Sequence, residues 1–320
     1  MQSNEFLSSL LFSASVISPI LLMLLIGIFL RRRKVIDDKF SEQATKLIFN
    51  ITLPTLLFFN IYQNPIEHIE DQFRLLSACV VGTLLLFTLA ELVAAKWVKD
   101  KKERGTFVQG IYRSNAGILG LAFCFNAYGD PALAPASIYS AVAVLLFNIL
   151  AVITISRSLS DGKVSVRKML ANLVKNPLVI SIILGLLAVN LQISLPKPLM
   201  TAGNYLANIT LPLALICAGA SIDFKTLFKT SDVSLWASLG RVIVAPIFMV
   251  GIGKLFGLSE MGLGIIFLVN ATPMATATYA MVRGMGGNAV TVANIIGLTT
   301  FGSMFSSAFG LIILKQIGWI

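Results

Sequence analysis

Asn50-Ile-Thr-Leu-Pro54 recurs unchanged as Asn208-Ile-Thr-Leu-Pro212 in a chain of 320 residues. The two copies stand 158 positions apart. At the same offset Pro19 meets Pro177, Gly27 meets Gly185, Ala44 meets Ala202 and Gly82 meets Gly240. Several matches in one register mark an internal repeat rather than an accident of composition. The chain is therefore expected to be two units, residues 1–160 and 161–320, built to one plan.

Composition fixes the solvent for that plan. Hydrophobic residues make up 56% of the chain and charged ones only 12%, and the mean hydropathy is +0.85. Soluble domains carry about a quarter charged residues, so an all-α integral membrane protein is expected. The net charge of +10 does not point to nucleic acid, because the basic residues sit in short clusters between apolar runs. The first run, about 12–30, has no basic leader and is followed by Arg31-Arg32-Arg33-Lys34; it reads as a retained span, not a signal peptide. Cys79, Cys124 and Cys217 lie in apolar runs, and the single histidine, His68, lies in a polar loop expected to be solvated. Metal chemistry is not expected.

A spanning helix takes about 20 mostly apolar residues. Ten such stretches can be placed, near 12–30, 43–61, 73–95, 108–127, 135–156, 177–193, 200–221, 233–256, 261–282 and 289–314. With both termini outside, nearly every Lys and Arg falls on the inner side. Only Arg74, Lys197, Lys254 and Lys315 lie outside, while Arg113 and Arg241 fall within spans. The basic bias thus favours both termini outside. Five spans per unit is an odd number, so the second unit must enter the membrane in the opposite sense. Inverted repeats are characteristic of secondary transporters, in which exchanging the conformations of the halves exchanges the side of access.

The repeated pentapeptide also has a local meaning. Proline removes a helical hydrogen bond at the carbonyl four residues back, here Asn50 or Asn208. The Asn50, Thr52, Asn208 and Thr210 side chains are expected either to satisfy the groups freed by Pro54 and Pro212 or to face a pathway. Midplane binding sites in such carriers are made by broken helices. The fourth and ninth spans are the candidates: Arg113-Ser-Asn-Ala-Gly-Ile-Leu-Gly-Leu121 and Asn270-Ala-Thr-Pro-Met-Ala-Thr-Ala-Thr278. Each holds an Asn-Ala pair followed by helix-weakening residues, Gly117 and Gly120 in one and Pro273 in the other.

These two stretches, with Tyr279 and Gly286-Gly287-Asn288, resemble the auxin efflux carrier family, which includes bacterial malonate-type carriers and plant auxin exporters. The resemblance covers the whole chain. It implies a fold related to sodium/bile-acid carriers, with spans 4 and 9 interrupted and crossing, and a homodimer as one assembly. It also implies a small organic anion as substrate, such as malonate or an auxin-like acid, and a bacterial inner membrane as the location. Where members often carry proline after the Gly-Leu of span 4, this chain has Ala122, so the break is expected to rest on the glycines. Asn115 and Asn270, with Thr272 beside them, are the expected polar residues of the crossing.

Charges inside spans carry their own expectations. Arg241, about nine residues into span 8, is expected to attract an anion or to pair with a carboxylate. Arg113 either joins the pathway or snorkels inward. Glu91 either carries a coupling proton or pairs with a basic neighbour. No cofactor is expected, and the coupling ion is left open between H+ and Na+. An intramembrane enzyme would need paired acids, a metal set or a histidine-based nucleophile, which the spans lack. A channel or sensor for a small solute, or a sodium-coupled symporter of another solute, is the alternative.

Overall fold

The structure, a computed structural model, describes residues 2–63, 69–159, 177–220 and 231–320; His68 and the basic residues Lys163, Arg167, Lys168, Lys175, Lys225 and Lys229 lie outside these. In chain order the α-helices are α1 (Gln2–Arg32), α2 (Asp38–Leu47), α3 (Leu53–Gln63), α4 (Ile69–Trp97), α5 (Lys101–Tyr112), α6 (Leu121–Tyr128), α7 (Leu133–Leu159), α8 (Pro177–Asn190), α9 (Lys197–Ala220), α10 (Asp232–Leu239), α11 (Ala245–Leu255), α12 (Glu260–Asn270), α13 (Ala277–Gly284) and α14 (Ala289–Gln316). Single π-helical turns join α2 to α3 (Ile48–Thr52), lead into α6 (Ala116–Gly120) and join α10 to α11 (Gly240–Val244). Among the described residues the one β-contact is an isolated bridge, Ser114 to Met274.

Among the described residues seven helices are long and apolar enough to cross a membrane: Leu7–Arg32, Lys39–Gln63, Ile69–Trp97, Asp130–Leu159, Lys197–Ala220, Asp232–Leu255 and Ala289–Gln316. These coincide with seven of the ten stretches placed by hydropathy. The other three hold shorter apolar helices, Ala116–Tyr128, Pro177–Asn190 and Glu260–Asn270. Large apolar side chains such as Leu22, Leu25 and Phe29 on α1, or Phe305 and Phe309 on α14, remain exposed, as expected where the surrounding solvent is lipid.

The first and last helices run side by side in opposite directions. Gln316 Nε2 donates to Ser9 Oγ (3.5 Å), Ser13 Oγ to the Ala308 carbonyl (3.0 Å), and Lys315 Nζ lies over the Phe12 ring. Both termini are therefore at the same end of the molecule.

Small residues let the long helices approach. A Cβ on Gly219 would stand 2.1 Å from the Leu24 carbonyl oxygen, and one on Gly27 would stand 2.2 Å from that of Ile216. Helix pairs in lipid gain from such contacts because backbones can pack directly. Gly185, repeat partner of Gly27, would place its Cβ 3.2 Å from the carbonyl oxygen of Phe58, itself 158 positions before Ile216. The contact between α1 and α9 thus has its counterpart between α8 and α3.

The pentapeptide copies do not fold alike. In the first, the chain winds through the π-turn, and the Leu53 amide reaches the Ile48 carbonyl five residues back. In the second, α9 runs through Pro212 as an α-helix. The expected repair of the freed groups is not what the side chains do. Asn50 Nδ2 donates to the Lys46 carbonyl (2.8 Å), Thr210 Oγ1 donates to the Leu206 carbonyl (3.2 Å), and the buried Thr52 hydroxyl has no partner. Back-bonding to one's own helix is the more local option and prevails here.

Replacing Gly219 with valine drives a side chain into the α1 backbone, and a loss of about 1–3 kcal/mol is expected from overpacking. Gly251, whose Cβ would meet nothing within 4 Å, is the control: Gly251→Ala should leave stability unchanged or raise it by up to about 1 kcal/mol. Thermal unfolding of both variants in detergent, followed by circular dichroism, checks the difference.

Candidate functional site

Two helices stop in mid-structure and restart. Helix α5, capped at its start by Asp100, ends at Tyr112; α12, capped by Ser259, ends at Asn270. These last residues are 158 positions apart, so the breaks obey the repeat. Beyond each, a short extended segment joins its counterpart. The Asn115 amide donates to the Pro273 carbonyl (2.9 Å) and the Ala275 amide to the Arg113 carbonyl (3.1 Å). Asn115 and Pro273 are themselves 158 apart, so one of the two hydrogen bonds joins equivalent positions. The pairing supplies partners to backbone that has left a helix in the interior, where an unmade hydrogen bond costs about 1–3 kcal/mol.

The first break falls at Arg113-Ser-Asn, upstream of the glycines expected to cause it. Gly117 and Gly120 lie in the π-turn that follows. Gly120 is there for contact, since a Cβ would meet Val269 of α12 at 3.2 Å. The matching Asn-Ala pairs are not equivalent either. Asn270 ends α12 as Tyr112 ends α5, whereas Asn115 lies in the extended segment.

Arg241 holds the two helix ends. Its guanidinium is 0% exposed. Nη1 donates to the carbonyl of Ile111 (2.8 Å), at the end of α5, and Nη2 donates to that of Asn270, at the end of α12. It was expected to meet an anion or a carboxylate; it meets two helix C-termini instead. Each of these carries about half a negative charge, so the pair presents about one unit to one cation. The Asn270 amide is likewise taken up in the scaffold, donating to Tyr139 Oη and to the Ile266 carbonyl (both 2.8 Å). Thr272 Oγ1 donates to the Val269 carbonyl (2.8 Å), the Met274 amide donates to Thr299 Oγ1 (3.0 Å), and Ser307 Oγ donates to the Ala271 carbonyl (3.3 Å).

The opposite character appears a few residues on. A cavity of about 290 Å³ is lined by Arg113 to Gly117, by Ala275 and Ala277, by Phe49 and Asn50, by Val144, Phe147 and Asn148, and by Pro177 and Leu178. It collects the starts of the helical segments that begin at Ala116 and Ala277, the positive ends of their dipoles, although the Thr278 and Tyr279 amides are taken by the Ala275 and Thr276 carbonyls (3.0 and 3.1 Å). Arg113, 4% exposed, does not snorkel. Nη2 donates to Asn148 Oδ1 (2.7 Å), and Nη1 donates to Gln109 Oε1 (2.9 Å) and lies 3.2 Å from Met281 Sδ. No carboxylate lines the cavity among the described residues. Asn115 is 7% exposed there, and its side-chain carboxamide, unlike its backbone N–H, has no hydrogen-bond partner among the described residues. Ser114 Oγ is buried and unpartnered.

A second cavity, of about 410 Å³, lies farther along the same elements. Its lining includes Asn60 and Gln63 of α3, Asn126 of α6, Asn204, Asn208 and Pro212 of α9, Pro19 and Ile20 of α1, and Asp130. Asn60 is ten residues beyond Asn50, and Asn126 eleven beyond Asn115, so at 1.5 Å per residue the cavities are offset by about 15 Å.

Of the expected site residues, Arg113, Asn115, Gly117 and Asn50 meet around the first cavity, and Asn208 and Pro212 line the second. Asn270, Thr272, Pro273 and Arg241 form the scaffold between them. Glu91 stands apart, accepting from the Thr154 hydroxyl with Arg157 at 3.7 Å. Sequence reasoning missed Asn148, Tyr139 and Gln109. The first two are isolated polar groups in the apolar run of α7, which is the signal that would have found them.

An Arg241→Met variant removes the shared cation and leaves two buried C-terminal carbonyls unpaired. A loss of about 2–4 kcal/mol is expected, with Arg241→Lys recovering part of it, since an ammonium reaches carbonyls without the guanidinium fork. Thermal unfolding in detergent checks the order wild type, Lys, Met.

Comparison with known proteins agrees with the resemblance drawn from the motifs. Residues 12–311 match the family described as Membrane transport protein. An uncharacterised transporter of Methanothermobacter thermautotrophicus is 23% identical over 82% of this chain and 85% of its own length. One of Methanocaldococcus jannaschii is 22% identical over 95% of this chain and 97% of its own. One of Escherichia coli K12 is 24% identical over 80% and 83%. With its apolar helices and a family match over nearly its whole length, the chain belongs to the Membrane transport protein family and is a multi-pass integral membrane protein.

Proposed function

We propose that this chain is a secondary transporter that carries a small organic anion by alternating access, and that the anion binds in the 290 Å³ cavity. The observation that carries the reading is electrostatic. A buried Arg113 and the starts of two helical segments converge on one cavity that no carboxylate lines among the described residues. An anion is the ligand that such a site favours. The free Asn115 carboxamide and the buried Ser114 hydroxyl add hydrogen-bond capacity suited to a carboxylate without adding charge. A volume of about 290 Å³ is at the small end of ligand pockets, which fits a short mono- or dicarboxylate such as malonate.

The proposed architecture is two inverted five-helix halves, with ten crossings. Three observations support it. Termini at one end fit an even number of crossings, which the seven long helices among the described residues reach, as ten, when the three shorter apolar helices also cross. The Gly27–Ile216 and Gly185–Phe58 contacts are exchanged by the repeat, as a two-fold relation between halves requires. The breaks are joined by an antiparallel bridge, and one of its two hydrogen bonds, from Asn115 to Pro273, links positions 158 apart.

Counterflow of labelled malonate in proteoliposomes, with a panel of small mono- and dicarboxylates as competitors, tests the reading. Saturable counterflow is expected from the wild type. Losing a charged hydrogen bond is worth about 1.5–3 kcal/mol, so Arg113→Gln should raise KM by about 10- to 100-fold and Arg113→Lys by less. Asn115→Ala should raise KM by about 3- to 10-fold. Solute flux that neither saturates nor shows counterflow would assign a channel instead.

A further inference from the structure

Part of the lining of the two cavities is exchanged by the repeat. Asn50 lines the first and Asn208 the second; Pro177 and Leu178 line the first, and Pro19 and Ile20 the second. Each of these pairs is 158 positions apart. The direction is exchanged as well: the first cavity takes its asparagine from the first half and its proline from the second, and the other cavity does the reverse. With the second cavity about 15 Å farther along the elements that line the first, the two lie toward opposite ends of the molecule.

Their chemistry is not the same. The charged residue lining the first cavity is Arg113; the charged residue lining the second is Asp130, exposed just beyond the positive-φ turn at Gly129. The rest of the second cavity's polar lining is carboxamide: Asn60, Gln63, Asn126, Asn204 and Asn208. Gln63 Nε2 donates to Asn204 Oδ1 (2.9 Å) across the gap between α3 and α9, and Asn126 Nδ2 donates to the Val16 carbonyl (3.0 Å). Amides can receive a carboxylate through N–H donors, but the neighbouring Asp130 charge opposes it.

We propose that the 410 Å³ cavity is a second site for the same small organic anion, open to the opposite face of the membrane, and that Asp130 makes it the weaker of the two. This rests on the anion reading above. The carrier then holds its substrate tightly on the Arg113 side and loosely on the Asp130 side. With the basic loops inside, as the positive-inside bias expects, the tight side faces the cytoplasm, and the asymmetry suits release to the exterior.

Two measurements on the full chain test this. First, Asn50→Cys and Asn208→Cys are labelled with a membrane-impermeant maleimide from each face of oriented vesicles. The native Cys79, Cys124 and Cys217 are all buried, so background labelling is low. Labelling of the two variants from opposite faces is expected; labelling of both from one face overturns the second site. Second, the KM for malonate is measured from each face. The wild type should show the higher KM on the face that labels Asn208→Cys. Asp130→Asn should lower that KM by about threefold at low salt, and Asp130→Lys by about tenfold, with both effects shrinking above about 0.5 M salt. Counterflow with equal KM on both faces, unmoved by either substitution, overturns the role of Asp130. Opposite-face labelling in a protein with no counterflow for malonate or any of the other acids overturns the anion reading, and the weak-side assignment with it, while the paired cavities stand.

Discussion

One guanidinium closes the centre of this protein. Two helices end inside it with their carbonyls aimed at the same place, and without a shared cation their C-terminal charges would repel across a medium with little water to screen them. Arg241 answers both ends at once through carbonyls contributed by α5 and α12. Much of the interior follows from this. With the C-termini tied back, the helical segments that resume at Ala116 and Ala277 turn their N-termini to a separate cavity. Negative and positive ends are thereby sorted to different places. The price of burying Arg241 without a carboxylate is offset by aligned backbone dipoles, which cannot be titrated away.

The division of labour between the two buried arginines follows from their surroundings. Arg241 has Nη1 and Nη2 engaged by backbone and lines neither cavity. Arg113 is held by the neutral acceptors Gln109 and Asn148, which fix its orientation without cancelling its charge. A charge that is oriented but not neutralised is what the proposed reversible anion site would need; an ion pair in its place would have to be broken each time an anion bound.

Much of the fold was legible in the sequence, because hydropathy and the recurrence of glycine and proline are properties of single residues. The seven long helices fall where the apolar runs put them, and the breaks lie in the two stretches that were singled out. What could not be read was which groups would pair. The break at Arg113-Ser-Asn is stabilised by backbone far away in sequence, with Ala275 bonding Arg113 across 162 positions, so no local propensity marks its position and the glycines misled. The Asn-Ala pairs at Asn115 and Asn270 looked equivalent because identity is visible and register is not. Arg241 appeared as an unpaired charge because carbonyl groups leave no trace in a sequence.

The contact between Ser9 and Gln316 has a topological consequence. A chain whose first and last helices lie together is nearly a closed ring, and a ring has no privileged starting point. A short linker joining those helices, with a cut in the segment between α7 and α8, would present the second half first and the first half last. Such a rearranged chain would keep its helix contacts except those at the cut, because packing depends on which helices meet and not on the order in which they leave the ribosome.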